Sequence, residues 1–385
     1  MASVSVFSFF AGCGILDLAF EKAKYDVVFV NEFSQEFLTG YQYAHSQLKQ
    51  KAPIYGYRCE SAEKYSKRKG KTKLIKLMDE EHNKGSFVGF IGGPPCPDFS
   101  VGGKNAGSSG ENGRLTRVYF DMICRCRPDF FVFENVRGLI KTEKHKKFYN
   151  EMRCKVQANQ YIIAEKLLNA LEYGVPQFRE RIIMVGINKE VIEKYPELIT
   201  LEGKLSFDWD KYKRYNIETI GNYKWPTKKR FAIDDFCRKP RGIPRDLTVE
   251  HWFRKNDVPN HPNAVDVFKV KNGYEKISTI DEGDTKGKSF KRLHRWKYSP
   301  TAAYGHNEVH LHPYKARRIS VSEAMAIQSL PKGFILPPEV CITSKFKMIG
   351  NGVPYLMARS IATTLKEMLD IIGDGRIKNE DDNKH

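Results

Sequence analysis

Short apolar runs alternate with charged, helix-like segments through the first half of the chain, and this alternation constrains the fold more than any other feature. Such runs are typical of strands buried in a parallel sheet, with helices crossing over between them. The pattern predicts helices at residues 15–24, 64–84 and 115–125 and strands at 3–10, 26–30, 87–91, 130–133, 161–168 and 181–187. The first half therefore predicts a doubly wound α/β domain.

The character of the sequence changes near residue 188. Regular periodicity fades, tryptophan and tyrosine become common, and basic clusters occur at 228–230 and 291–297. We therefore predict a first domain over 1–188 and a smaller, irregular domain over 189–340. A C-terminal segment, 341–372, returns to the first domain, and helices are expected at 320–328 and 354–371. The polar tail, 373–385, predicts no regular structure.

The charge balance indicates an anionic partner. Lysine and arginine number 64 against 46 aspartate and glutamate residues, a formal net charge of +18 in a chain that is 41% hydrophobic. A folded protein with this excess is expected to bind nucleic acid. The eight cysteines include no C-x-x-C pair, which argues against a zinc site or disulfide framework and for a reducing compartment.

The N-terminal apolar run, 4–10, is too short to span a bilayer and has no charged lead-in. We therefore expect no signal peptide and no membrane association. The expected location is the cytoplasm, near the nucleoid in a bacterium, or the nucleus in a eukaryote.

A glycine-rich turn, Phe10-Ala11-Gly12-Cys13-Gly14, joins the first predicted strand to a helix, where a ligand can approach the backbone closely. The dinucleotide fingerprint would need a third glycine at the position of Asp17, which argues against NAD and FAD. Glu32 ends the second strand, where a carboxylate can accept both hydroxyls of a ribose. Together they predict a nucleoside cofactor without a pyrophosphate, a description that S-adenosylmethionine fits.

A cysteine follows the predicted strand 87–91 within the stretch Gly92-Gly93-Pro94-Pro95-Cys96-Pro97. Open α/β sheets place their ligands at the carboxyl ends of strands, and the prolines stiffen the backbone around the sulfur. The glycine- and serine-rich segment 102–113 comes soon after. This order predicts a fixed nucleophile, Cys96, beside a lid that can move.

Two further groups of polar residues are predicted at the same sheet edge. Glu134 closes another strand, so its carboxyl group and the Cys96 thiol could meet in one crevice. A buried carboxyl group of raised pKa can pass a proton to a ring nitrogen. Arg179 and Arg181 stand at alternate positions, hence on one face of an extended chain, and suit a phosphate or a polarised carbonyl.

Taken together, these residues resemble the DNA (cytosine-5) methyltransferases of restriction-modification systems. The matches occur in the family's order at 10–14, 31–32, 94–96, 134–136, 177–181, 318–331 and 350–354. They leave 190–300 unmatched, as a variable target-recognition segment would be. The resemblance implies a Rossmann-like, S-adenosylmethionine-dependent methyltransferase sheet over 1–188, which is the catalytic and cofactor-binding domain. A smaller, irregular target-recognition domain is implied over 189–340.

The resemblance also implies roles for individual residues. The Cys96 thiolate adds to C6 of a flipped cytosine, Glu134 holds N3 and the exocyclic amine, and the two arginines steady the carbonyl, the phosphate or the thiolate. Glu60 stands in for the Gly-Asp turn that meets the adenine. The full set of implied cofactor-binding residues is Phe10, Gly12, Cys13, Gly14, Glu32, Glu60, Pro94, Asn351 and Val353. The product is S-adenosylhomocysteine, and the implied partners of this monomer are double-stranded DNA and a cognate restriction endonuclease.

The sequence departs from the family pattern in places. Pro97 stands where the family usually has glutamine, and Ser322 and Ala326 stand where arginine is common, which predicts weaker ion pairing in that helix. Two alternatives stay open. A transfer-RNA methyltransferase of the same fold would carry a Cys-Phe-Thr signature, whereas Cys237 is followed by Arg238. A catalytically silent DNA-binding regulator would not need the intact cysteine, glutamate and cofactor loop.

Overall fold

A computed structural model describes residues 2–95, 111–270, 274–302, 304 and 308–382, without the side chains of 111, 112 and 376–382. Its central element is a seven-stranded sheet in the order β3-β2-β1-β4-β5-β7-β6. The strands are β1 Val4–Phe9, β2 Asp26–Glu32, β3 Tyr57–Cys59, β4 Phe87–Gly92, β5 Phe130–Val136, β6 Tyr161–Asn169 and β7 Glu180–Asn188. Six of these were predicted from apolar runs. The three-residue strand β3 was not, because it is too short to show a period.

One strand runs against the others. β7 pairs antiparallel with both β5 and β6, whereas β1 to β5 pair in parallel. The connection from β6 to β7 is a short 3-10 helix, Ala170–Tyr173, and a turn, whereas a parallel return needs a crossover of about a dozen residues or more. The antiparallel direction of β7 is thus a departure from the parallel pattern that the alternation of strands and helices suggests.

Helices cover both faces of the sheet. They are α1 Ile15–Lys22, α2 Gln35–Gln47, α3 Glu63–Ser66, α4 Arg68–His82, α5 Glu111–Cys126, α6 Glu143–Ala158, α7 Lys189–Ile192, α8 Ile217–Asn222, α9 Val249–Lys255, α10 Tyr274–Ser278, α11 Val321–Ile327, α12 Ile342–Asn351 and α13 Tyr355–Asp382. The prediction missed α2 and α6, although their caps were present: Ser34 accepts from the amide of Phe37, and Thr142 accepts from that of His145.

The C-terminal helix returns to the first domain. Asp370 accepts the amide of Ala2 at 2.7 Å, and Tyr195 donates to the carbonyl of Ile372 at 2.8 Å. Because Gly373 has no side chain, α13 approaches Ala2 closely, and a Cβ there would lie 2.8 Å from that of Ala2. The helix continues to Asp382, so residues 373–382 are helical where no regular structure was expected.

Buried arginines hold the irregular second region together. Its strands β8 Lys291–Arg292 and β9 His310–Leu311 have two residues each. The guanidinium of Arg292 donates to the carbonyls of Ile277, Ile280, His312 and Lys315. Arg295 forms a two-pronged pair with Glu282, at 2.8 Å on each side. Side-chain bonds to carbonyls thus replace the regular ladders of a sheet, as the loss of periodicity in the sequence predicts.

Candidate active site

The reversal of β7 brings the predicted polar residues to one edge of the sheet. The carboxyl ends of β1, β2, β4 and β5 carry the glycine turn, Glu32, Pro94 and Glu134. Because β7 is antiparallel, its first residues lie at that same edge, and Arg181 pairs with Val136 near the end of β5. A parallel β7 would place Arg181 at the opposite edge, away from Glu134.

Glu134 and Arg181 form a buried ion pair. Nε of Arg181 lies 2.8 Å from Oε1 of Glu134, and the two residues are 8% and 7% exposed. Burial raises the pKa of the Glu134 carboxyl above its usual range, while Arg181 and Arg179 pull this pKa downward. Burial thus favours proton uptake by this carboxyl group, which makes it a candidate proton donor.

The backbone that leads to the predicted nucleophile lies against this carboxyl group. A Cβ built on Gly93 would stand 2.6 Å from Oε2 of Glu134, so only glycine fits without displacing it. The side-chain amide of Asn135 donates to the carbonyl of Pro94 at 3.5 Å. Cys96 follows Pro95 directly but lies outside the described residues, as do Pro97 and the part 102–110 of the predicted lid.

Arg179 has different surroundings from Arg181. It is 1% exposed, and its terminal nitrogens donate to the carbonyls of Ala302, Gly350 and Gly352 at 3.2, 2.5 and 3.1 Å. These bonds join the start of β7 to two distant stretches of chain. The two arginines have the same predicted role but different contacts. Arg181 contacts the Glu134 carboxyl group, whereas Arg179 binds backbone carbonyls.

The glycine turn is held in a conformation that few residues adopt. Phe10, Gly12 and Gly14 have φ angles of 54°, 60° and 79°. The Oε2 atom of Glu32 accepts the amide of Gly12 at 2.8 Å, and its Oε1 atom accepts the amide of Ser34 at 2.9 Å. Burial raises the pKa of this carboxyl group. Each oxygen keeps a lone pair for a further donor, such as a ribose hydroxyl.

Cys13, the middle residue of the turn, is buried, and burial raises the pKa of its thiol far above the usual range. It is therefore unsuited to be a nucleophile, and any contact with a cofactor would come from its backbone.

Apolar surface beside Glu32 was missed by the sequence analysis. Phe33 follows the carboxylate directly and is 74% exposed. An exposed aromatic ring beside a ribose-binding carboxylate offers a stacking surface to an adenine. The signal in the sequence was the pair Glu32-Phe33 at the end of a strand.

The closing motif lies next to the glycine turn. Asn351 ends α12 and is exposed, whereas Val353 is buried. A Cβ on Gly352 would stand 2.4 Å from Cδ1 of Ile15, the first residue of α1. The structure thus brings the predicted residues at 351 and 353 to the helix that follows Gly14.

Glu60 faces a different environment. Its carboxylate is bonded to the side chains of Lys64 and Tyr65, while its carbonyl accepts the side chain of Asn31 at 2.8 Å. The carboxylate contacts therefore belong to the region around α3. That Glu60 meets an adenine stays a prediction.

Residues outside helix α11 supply the ion pairing that the sequence predicts to be weak within it. Glu323 of α11 receives two bonds from Arg317, at 2.8 and 2.7 Å, and Ser320 caps the helix in a capping box with Glu323. Ser322 is buried and bonds to Ser320 at 2.9 Å. Ion pairing thus persists without arginines at 322 and 326.

These residues fit a nucleoside-containing cofactor. The turn at Gly12 is open, with nothing within 4 Å of where a Cβ would be, and Glu32 and Phe33 stand beside it. Among the described residues, no group of three or more histidine, cysteine, aspartate or glutamate residues could hold a metal ion. No helix in the described part of the chain is long and apolar enough to cross a membrane. An open α/β sheet with this edge defines the class of S-adenosylmethionine-dependent methyltransferases.

Comparison with known proteins narrows the class. A family model of the C-5 cytosine-specific DNA methylases matches residues 4–367. The chain is 48% identical to the Type II methyltransferase M.NmeDI of Neisseria meningitidis serogroup C, over 95% of this chain and 84% of that protein. It is 26% identical to M.MthTI of Methanothermobacter thermautotrophicus, over 96% and 98% of the two chains.

Solved structures share the fold. A prophage-encoded E. coli protein described as a DNA modification methyltransferase superposes with a TM-score of 0.62 at 22% identity, covering 96% of this chain and 100% of that one. The S. pombe Dnmt2 methyltransferase superposes with a TM-score of 0.56 at 11% identity, covering 95% and 99%.

The chain belongs to the C-5 cytosine-specific DNA methylase family. It is a DNA (cytosine-5) methyltransferase that uses S-adenosylmethionine, which confirms the predicted resemblance, fold, activity and cofactor. The roles of individual residues and the domain boundaries stay predictions.

Proposed function

We propose that Cys96 adds to C6 of a cytosine that has been flipped out of duplex DNA, with Glu134 and Arg181 holding the base. The observation that carries this proposal is the buried Glu134 carboxyl, which Arg181 contacts on one side and the backbone of Gly93 on the other. A base in this crevice would meet the carboxyl group beside the loop that leads to Cys96. Flipping is required because C5 and C6 are inaccessible within a duplex.

The residues divide the work as follows. The Cys96 thiolate forms a bond to C6, and the electron pair displaced from the C5–C6 bond makes C5 nucleophilic. The Glu134 carboxyl, whose pKa burial raises, supplies a proton to N3 and so stabilises the negative charge that addition creates. Arg181 keeps the Glu134 carboxyl in place and leaves the base a cationic neighbour. Bound S-adenosylmethionine supplies the methyl group that C5 takes up; loss of the C5 proton and elimination of the thiolate then release the product.

Arg179 acts at a distance in this proposal. Both of its terminal nitrogens donate to backbone carbonyls, so we assign it the part of a positioning residue. It fixes Gly350 and Gly352 against the start of β7, and thereby the closing motif against the glycine turn. The predicted contact of Arg179 with substrate is replaced here by this indirect role.

The cofactor is proposed to lie across the glycine turn. Glu32 would accept the ribose hydroxyls, Phe33 would stack on the adenine, and the backbone of 12–14 would contact the amino-acid part. The closing residues Asn351 and Val353, with Pro94, would complete the site. The support is the open space at Gly12 and the exposure of Phe33 beside a carboxylate that retains lone pairs.

The net charge of the chain and the names of its relatives support the partners that we propose. The excess of 64 basic over 46 acidic residues supports binding of double-stranded DNA, with target recognition assigned to 189–340. Relatives named Type II methyltransferases support a role in restriction-modification, in which a cognate endonuclease cuts the unmethylated sequence. We place the enzyme in the bacterial cytoplasm and assign it a monomeric state.

Sequencing of DNA exposed to the enzyme and its cofactor tests the proposal. Bisulfite conversion should reveal protected cytosines within one short sequence, and the Cys96→Ala variant should protect none while binding S-adenosylhomocysteine as the wild type does. Full protection by Cys96→Ala would remove Cys96 from the mechanism. Methylation of transfer RNA in place of DNA would favour the other branch of the fold.

A further inference from the structure

A loop of the second region, 229–238, is held in one shape although it contains no helix or strand. The backbones of Lys229 and Glu282 exchange two hydrogen bonds, at 3.0 and 2.8 Å. Further along the loop, the amide of Asp234 donates to the carbonyl of Tyr314 at 2.8 Å. These bonds fix the first half of the loop against the rest of the region.

Buried side chains fix the second half of the same loop. Arg295 donates to the carbonyl of Asp235, and the indole nitrogen of Trp296 donates to the carbonyl of Cys237, both at 2.7 Å. Arg295 and Trp296 are buried members of the basic cluster 291–297. This cluster therefore supports the loop from beneath, and it is the loop that meets solvent.

The loop presents two large apolar side chains to solvent. Ile233 is 59% exposed and Phe236 is 81% exposed, and neither packs against a hydrophobic core of the described chain. Exposed apolar groups with a polar rim are typical of interaction sites. Because the backbone is already fixed, a partner that binds Phe236 would lose little conformational entropy from ordering the loop.

The charges around these side chains are positive and largely unpaired. Lys228 and Lys229 form ion pairs with Asp284 and Asp235. Four exposed arginines form no ion pair with any described residue: Arg230, Arg238, Arg241 and Arg245. A planar guanidinium suits a phosphate or a guanine edge. An exposed aromatic ring among free guanidinium groups is therefore complementary to nucleic acid.

The support of the loop also reaches the catalytic edge of the sheet. Ser299 donates its amide to the carbonyl of Pro176 at 2.8 Å and accepts the amide of Phe178 at 2.9 Å, just before β7 begins. Ser299 follows Trp296 by three residues, so their Cα atoms are at most about 11 Å apart. This is the length of about three base pairs of duplex DNA. DNA that delivers a base to Arg181 can therefore extend over the loop.

We propose that Phe236 is a specificity-determining residue that makes an apolar contact with a base near the flipped cytosine, while the four arginines bind flanking phosphates. This inference rests on the target recognition proposed above for 189–340. Phosphate contacts position a protein on DNA, whereas base contacts discriminate between sequences. Removal of the ring and removal of a guanidinium should consequently have different effects on DNA binding.

Fluorescence anisotropy with two labelled duplexes of equal length tests this division. One carries the sequence that the wild type protects from bisulfite, and the other lacks it; both are titrated with the full chain and S-adenosylhomocysteine at several salt concentrations. Phe236→Ala should bind the target duplex about tenfold more weakly and the other duplex as the wild type does. Arg238→Ala should weaken both duplexes by the same factor and lower the slope of log affinity against log salt by about 1.

Leu201→Ala is the matched control, because Leu201 is also a fully exposed apolar residue of the second region. Its affinities for both duplexes should equal those of the wild type. Phe236→Leu keeps an apolar side chain and should retain most of the preference for the target. Since the Phe236 ring lies mainly in solvent, Phe236→Ala should unfold in urea at the wild-type midpoint.

The outcomes separate the ring from the arginines and from the site itself. A Phe236→Ala variant that keeps the wild-type ratio of target to non-target affinity would overturn the inference, whether both affinities stay unchanged or fall together. Wild-type protein that binds the two duplexes equally would instead contradict the target recognition proposed for 189–340. A reduced ratio in Phe236→Ala with an unchanged salt slope supports both.

Discussion

Replacing Gly93 by alanine tests how closely the loop before Cys96 is fitted to Glu134. The added Cβ would stand 2.6 Å from Oε2, against an ordinary contact of 3.4 Å or more. The carboxyl group must therefore retreat by about 0.8 Å, or the loop must rise by that amount. A direct retreat would disturb the 2.8 Å contact with Arg181.

The expected effect falls on catalysis more than on folding. The displaced atom is at the end of a side chain, so the stability loss should be about 1 kcal/mol, at the low end for overpacking. Misplacing a catalytic group by nearly 1 Å costs about 100-fold in rate, or about 2.7 kcal/mol of barrier. The φ angle of Gly93 is not among the positive ones, so alanine brings no backbone strain.

Single-turnover transfer of a labelled methyl group to DNA measures the chemical step, and thermal unfolding checks the fold. Gly221→Ala is the matched control, because nothing lies within 4 Å of its Cβ position in α8. It should keep the wild-type rate. If folded Gly93→Ala transferred methyl groups within about twofold of the wild-type rate, the loop would not be seated on a working Glu134.

Three other predictions concern charge. Arg179→Lys loses most of the bonds to the Ala302, Gly350 and Gly352 carbonyls and should lower the free energy of unfolding in urea by about 2 kcal/mol or more. An unchanged urea midpoint would contradict the stabilising role of these bonds. Because burial raises the pKa of Asp17 from 3.8 to about 6, the native state binds the extra proton between these values. Stability should thus decline by up to roughly 3 kcal/mol as pH rises through that window, and Asp17→Asn should abolish the decline in pH-dependent unfolding curves. Because burial raises the pKa of Glu134, the rate of methyl transfer should fall as pH rises and this carboxyl group loses its proton, and Glu134→Gln should be slow at every pH; a fast Glu134→Gln would contradict its role as an acid.

Six of the seven strands were predictable from the sequence because a buried strand consists mainly of apolar residues. The direction of β7 was not predictable, because its apolar run has the same pattern in a parallel and in an antiparallel strand. Only the short turn before Glu180 shows that β7 runs antiparallel to β6. The glycine turn and Glu32 were found because ligand approach demands particular residue types at strand ends. Phe33 was missed because an exposed aromatic residue looks like any apolar residue until its burial is known.

The arginines show a second limit. Alternate spacing places Arg179 and Arg181 on one face of an extended chain, and nothing local distinguishes them. Arg179 meets carbonyls more than 100 positions away, whereas Arg181 meets Glu134 across a strand pair. Long-range partners of this kind come from topology and not from spacing.

If Cys96 forms a covalent bond to the cytosine that it methylates, the covalent intermediate can be trapped on DNA. DNA carrying 5-fluorocytosine in the target sequence should be methylated and then remain attached to the protein through denaturation, because fluorine at C5 cannot leave as a proton does. Mass spectrometry of the digested adduct should place the nucleotide on the peptide that contains Cys96. An active preparation that gives no adduct, or an adduct on another residue, would contradict the account.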